Sequence, residues 1–219
     1  MLVKLAYGES GLEVNFPELI TDVVEPEYIP GLPDETAAVQ SALRNPIGSK
    51  PLRQLISHNQ KVAISICDIT RPSPTEVVLP IILNEISHIP KDNVSILVAT
   101  GTHRANSKTE LINMVGNEIV NNNQIINHDC FDEDNLVLTG KTSDGTPIWL
   151  NKTWVESDVR ITCGFVEPHF FAGFSGGPKM VAPGLAGFDT IMALHNSERI
   201  GSTKAVWGIT NGNPVHDTI

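Results

Sequence analysis

The residues able to do acid, base or anion chemistry gather in four short segments: DITRP (68–72), TGTHR (100–104), HD (128–129) and EPH (167–169). His103 and His169 are candidate general acids or bases, because imidazole titrates near neutrality. Each also suits a hydrogen-bonded structural role. Two histidines facing one substrate would serve a reaction that moves protons on two sides. Arg71 follows closely after Asp68. Its guanidinium matches a carboxylate or phosphate through paired hydrogen bonds, or pairs with Asp68 itself.

The densest segment is EPHFFAGFSGGPKMVAPGLAG (167–187), with five glycines, three prolines and three phenylalanines. Gly173 and Lys179 have the spacing of a phosphate-binding loop, but Pro178 replaces its second glycine and Met180 its Ser or Thr. A GxGxxG fingerprint is also absent. Two readings stay open: a tight surface loop, or a backbone packed close to a ligand where only glycine fits. In the second, Ser175, Gly176 and Gly177 would back the ligand, and the phenylalanines would wall it off from water. Lys179, between Pro178 and Met180, is either a solvated lysine or a desolvated amine serving as nucleophile or attachment point. His195 lies on a helix predicted over residues 188–198, beside Ile191, Met192 and Leu194. It is a core residue or an imidazole metal ligand. No HExxH or paired-cysteine pattern accompanies it.

Strands must carry these segments. KVAISIC (61–67), VSILVAT (94–100), residues 124–128 and DVRITCGF (158–165) read as four strands, each followed by one polar segment. Helices are predicted between them, over 74–88 with a kink at Pro80, and after the capping-box spacing SKTE at Ser107. Such alternation implies a parallel sheet with right-handed crossovers, and ligands then sit beyond the carboxyl ends of the strands. Residues 136–155 read as a hairpin turned at Ser143-Asp144-Gly145. Short helices are predicted from Asp34 through Leu43 and over 52–58. Ahead of them, residues 1–16 alternate as a β-hairpin and 16–33, with four prolines, as an extended connector.

The 219 residues are 41% apolar and 18% charged, which excludes disorder for most of the chain. A net charge of −10, with 15 scattered basic residues, leaves no nucleic-acid footprint. The longest apolar stretches, such as 77–83, fall far below the ~20 residues of a membrane span. No secretion signal opens the chain. Cys67, Cys130 and Cys163 form no close pair, so a reducing, cytoplasmic setting is expected. The closing NGNPVHDTI reads as the start of a helix, so a longer polypeptide is expected.

DITRP (68–72), ATGTHR (99–104), EPHFFAGFSGGPKMVAPG (167–184), TIMALHNSE (190–198) and NPIGS (45–49) resemble the lactate racemase family of nickel-pincer enzymes. HFFAGFSGG-x-K is the most specific of these; DxTRP alone is weak. The resemblance implies the α/β, N-terminal half of a two-domain enzyme. Residues 1–219 would form its cofactor-binding domain, with 1–33 as hairpin and connector and 34–219 as the α/β core. A C-terminal domain absent from this chain would complete the cleft, and the chain alone would be inactive. Family members tether a pyridinium thioamide/thiocarboxylate mononucleotide to a lysine and bind nickel through it, a histidine supplying the fourth ligand. By motif position, Lys179 would be the tether and His195 the nickel ligand. His103 and His169 would be the acid/base pair. Asp68, Arg71, Ser175, Gly176 and Gly177 would line the cofactor pocket. The implied reaction is racemisation or epimerisation of a small, lactate-like 2-hydroxy acid by proton and hydride transfer. The implied partners are that acid, cofactor maturation enzymes and the C-terminal domain, with no nucleic acid and no membrane. The same chemistry on a larger hydroxy acid or sugar acid is one alternative, and a cofactor-binding or sensory module without turnover is another. Pro178 stands where the family carries a basic residue, and Cys67 where it carries a second aspartate.

Overall fold

The computed structural model describes residues 1–219, in two compact units, Met1–Pro33 and Asp34–Ile219. In the first, β1 (Leu2–Leu5) pairs antiparallel with β2 (Leu12–Asn15). A 3-10 turn at Glu18–Ile20 is the only regular element in the connector that follows.

The second unit begins with α1 (Glu35–Arg44), where Ala37 N–H donates to the Asp34 side chain at 2.8 Å, and α2 (Leu52–Leu55). Then come β3 (Val62–Cys67), α3 (Thr75–Glu85), β4 (Val94–Ala99), α4 (Lys108–Val115), α5 (Asn117–Asn122) and β5 (Gln124–Asn127). A hairpin of β6 (Leu136–Lys141) and β7 (Pro147–Asn151) leads through α6 (Lys152–Val155) into β8 (Val159–Cys163). The short pair β9 (Pro168–His169) and β10 (Gly173–Phe174), then α7 (Phe188–Leu194), α8 (Ser197–Ile200) and α9 (Pro214–Thr218), complete the unit.

The core is a four-stranded parallel sheet ordered β5-β4-β3-β8. Every residue of β3 is buried. Val62, Ile64 and Ile66 pack with Leu79 and Ile82 of α3 and with Ile86 at its C-cap, while Ala63 packs with Leu97, Trp154 and Leu185 in a separate cluster. A parallel strand covered on both faces needs a nearly continuous apolar run, which VAISIC supplies, broken only by Ser65, whose buried hydroxyl donates to the Met180 carbonyl at 2.9 Å. Each such aliphatic side chain contributes about 1.5–3 kcal/mol by burial. From β3 the chain crosses to β4 on one side, and β8 enters on the other. The loops after β3 and β8 therefore diverge around a crevice at the carboxyl edge.

Several elements end sooner than the sequence predicts. The hairpin expected to run to residue 155 stops at Asn151, whose side chain accepts from Trp154 N–H and starts α6. Helix α2 covers Leu52–Leu55 rather than 52–58. Helix α3 covers Thr75–Glu85 with Pro74 at its N-cap, and it continues through Pro80. The helix expected over 188–198 is two. Asn196 accepts from Arg199 N–H at 2.8 Å and caps α8, a side-chain bond that competes with helical continuation. The buried Arg199 guanidinium donates to the Ala193 carbonyl and pairs with Asp144. His195 is thereby left at the C-cap of α7. No helix is long and apolar enough to cross a membrane.

Candidate active site

A cavity of about 330 Å3 opens at the carboxyl ends of β3, β4 and β8. Asp68, Arg71, His103, His169, Ser175, Gly176, Lys179 and His195 all line it. Gly177 does not; it opens the 3-10 turn Gly177–Met180 that carries Lys179. The third strand end also contributes nothing. His128 is buried behind it, its Nε2 on the Ala186 carbonyl at 2.9 Å and its Nδ1 near the Asn151 amide. Burial holds its pKa below the ordinary imidazole value.

Asp68 is the first residue after β3. Its buried carboxylate uses Oδ1 to accept from Thr70 N–H and, at 2.6 Å, from Thr70 Oγ1. Oδ2 lies 2.6 Å from His103 Nδ1. A carboxylate can only accept, so Nδ1 carries the hydrogen and neutral His103 keeps its lone pair on Nε2. His103 follows β4, and its N–H donates to the Thr100 carbonyl. Arg71 donates to the carbonyl and hydroxyl of Thr70. Its nearest carboxylate, Glu167, stands 3.9 Å away, so much of the guanidinium fork is free for an anion.

His169 is held in the opposite sense. Its Nδ1 accepts from Ala172 N–H at 3.3 Å and Phe171 N–H at 3.5 Å. In the neutral ring the hydrogen therefore sits on Nε2. Burial first, then the charges of Lys179, Arg71 and His195, push its pKa down to about 4. His195 Nδ1 lies 2.7 Å from the Ile191 carbonyl. That bond fixes its hydrogen on Nδ1 and leaves the Nε2 lone pair for a ligand.

Lys179 has no carboxylate partner. Burial, with help from Arg71, lowers its amine to about 8. Nζ lies 5.8 Å from the Phe171 ring centre. The same ring meets His169 edge-on at 4.6 Å and His195 at 5.3 Å. Phe171 thus borders three of the cavity's working side chains, a role the sequence marks only as one of three phenylalanines. Nothing in the sequence signals the Asp68–His103 bond either.

The glycine-rich loop holds this arrangement in place. Ser175 Oγ donates to the Phe165 carbonyl at 2.6 Å and accepts from Glu167 N–H at 3.0 Å, tying the loop to the exit of β8. Gly176 has φ +65, and a Cβ there would meet the Phe165 carbonyl oxygen at 2.8 Å. Gly184 N–H donates to the Lys179 carbonyl, and the Gly184 carbonyl accepts from Gly101 N–H, both at 3.0 Å. A Cβ at Gly184 would approach Ala99 Cβ and the Met180 carbonyl at 2.8 Å.

A histidine tied to a carboxylate, a second in the opposite tautomer, an unpaired amine and an imidazole lone pair are groups able to move protons beside a bound anion. The chain holds no cluster of three metal-ligating side chains. The imidazole lone pairs left in the cavity are those at Nε2 of His103 and His195.

Residues 7–208 match the lactate racemase N-terminal domain family. The chain is similar to the lactate racemase of Thermoanaerobacterium thermosaccharolyticum, 38% identical over 219 residues, covering 98% of this chain and 51% of that protein. It is also similar to the lactate racemase of Lactiplantibacillus plantarum, 42% identical over 183 residues, covering 83% and 43%. The fold superposes on the lactate racemase apoprotein structure from Thermoanaerobacterium thermosaccharolyticum with a TM-score of 0.88 and 36% identity, covering 100% of this chain and 52% of that one. A Thermotoga maritima crystal structure, 23% identical with a TM-score of 0.70, shares the fold over 87% of this chain. The chain spans about half the length of the curated relatives it matches.

Proposed function

The chain belongs to the lactate racemase N-terminal domain family, and from that premise we propose that it is the cofactor-bearing half of a racemase or epimerase for a small 2-hydroxy acid such as lactate. The observation that carries this reading is the pair His103 and His169, which line one cavity with their hydrogens on opposite ring nitrogens. Inverting a carbinol carbon needs proton-transfer groups on both sides of a planar 2-oxo acid, together with a hydride acceptor. A nickel-pincer nucleotide supplies that acceptor when bound.

The residues fit such a group. Lys179 would hold it through its unpaired amine, which is partly deprotonated near neutrality because its pKa is lowered to about 8. His195 Nε2 would take the metal, with the Ile191 carbonyl setting the ring. Ser175 and Gly176 back the loop that presents Lys179. Arg71 binds the substrate carboxylate. Asp68 orients His103, which takes the hydroxyl proton of one enantiomer at Nε2. His169 donates a hydrogen bond from Nε2–H to the oxygen on the other side, and the proton that His103 took returns to that oxygen as the opposite enantiomer forms. Phe171 keeps water from the space between them. Half the cleft would come from the remainder of the polypeptide, so this chain alone would not turn over.

The test uses the full-length protein, co-expressed with the maturation enzymes. Intact mass should show an adduct on Lys179, metal analysis should show nickel, and the protein should interconvert D- and L-lactate. An adduct and nickel without exchange of any 2-hydroxy acid would favour the binding-module reading. Absence of both under those conditions would sink the proposal.

A further inference from the structure

The N-terminal unit, Met1–Pro33, contains no buried side chain. Eleven of its large apolar residues are exposed, Leu19, Val24 and Tyr28 almost completely. Isolated exposed apolar residues are ordinary, but a run this dense marks a surface that something covers. The hairpin sharpens the point. Val3 faces Val14 and Leu5 faces Leu12 across the strands, while Lys4 faces Glu13, so one face is wholly apolar. Two-stranded hairpins are marginal in water. Ordering each residue costs about 1–2 kcal/mol, and chains below ~40 residues rarely recover that alone.

We propose that this face, with the apolar side chains of residues 19–32, is the docking surface for the second half of the same polypeptide. That half is the length its relatives carry beyond the matched 51% and 43%. Charge selects the occupant. Lys4 is set against Glu9, Glu13, Glu18, Asp22, Glu25 and Glu27, a net of −5 (1 − 6). Two copies of this unit meeting face to face would oppose like charges, and an anionic membrane would repel it. A face elsewhere on the same polypeptide need not repeat this charge and acts at high effective concentration. The inference does not depend on the racemase reading.

The experiment places p-benzoylphenylalanine at Leu12 of the full-length protein and, in a second variant, at Tyr7, which is more exposed. After irradiation, digestion and mass spectrometry locate the adducts. The expected adducts join the reporter to peptides beyond Ile219 within one polypeptide. Adducts confined to residues 34–219, adducts joining two polypeptides, or no adduct at either position would overturn it.

Discussion

Oδ2 of Asp68 stands 2.6 Å from Nδ1 of His103, while Oδ1 is held by the amide and hydroxyl of Thr70. The carboxylate cannot turn away without giving up all three of these hydrogen bonds. One ring nitrogen of His103 is therefore committed, and the other is the one left to meet a substrate.

Asp68→Asn keeps the size of this group but can hold the imidazole in the wrong tautomer. In the full-length, cofactor-loaded enzyme it should lower kcat by up to about 10⁴-fold, the loss that the wrong tautomer causes behind a catalytic histidine. The Lys179 adduct and nickel content should stay unchanged. Lactate enantiomer exchange and intact mass on the same preparation decide this, and near wild-type turnover removes Asp68 from the mechanism.

His103→Ala and His169→Ala should each abolish exchange in both directions, because proton removal from one enantiomer is proton return to the other. Polarimetry started from either pure enantiomer checks this. A variant that still works from one side would show that its histidine is dispensable.

Lys179→Ala and His195→Ala should separate tether from metal. The first should lose both the mass adduct and nickel. The second should keep the adduct and lose most of the nickel. Nickel bound in full by His195→Ala would reassign the ligand.

His169 provides a pH signature that needs no turnover. Its folded pKa lies near 4, against an ordinary 6.5. Between those values the unfolded chain takes up a proton that the folded chain refuses. This histidine therefore makes stability fall as pH drops from 6.5 toward 4. Lys179→Met removes one of the charges that depress it, so the titration should move upward but stay below 6.5, because burial is the larger cause. Histidine NMR titration of the full-length apoprotein reads the shift directly. A midpoint unmoved by Lys179→Met would contradict the electrostatic account.

Gly184→Ala should destabilise the fold by about 1–3 kcal/mol, because the added methyl would meet Ala99 Cβ and two backbone carbonyls under 3 Å away. Urea denaturation measures the loss. An Ala variant as stable as wild type would show that the loop can yield.

What the sequence reveals depends on whether the deciding interaction is local. VAISIC and VSILVA are legible as strands because burial on both faces demands a nearly continuous apolar run, which one serine in each does not disguise. Ser107 and Asp34 are legible as caps because their partners lie three residues ahead. His103 and His169 stand out because polar residues after strands converge at one sheet edge. The same rule misleads at His128, where Ala186 and Asn151, distant in sequence, enclose the ring. The Asp68–His103 bond spans 35 residues and exists only once β3 and β4 are paired. Spacing cannot say which phenylalanine turns inward; Phe171 is 9% exposed and the adjacent Phe170 63%. The break at Asn196 depends on Arg199 finding Asp144 across 55 residues.

The backbone of Lys179 is pinned on both sides, its N–H on the Gly176 carbonyl and its own carbonyl under Gly184 N–H. A group covalently joined at Nζ would pivot about a fixed Cα, so the volume it could sweep is set by side-chain torsions alone, with the Phe171 ring bounding one side. Its local concentration would then be a constant of the fold, independent of supply in the surrounding solution. Dilution would not empty such a site, and successive turnovers would begin from the same loaded geometry.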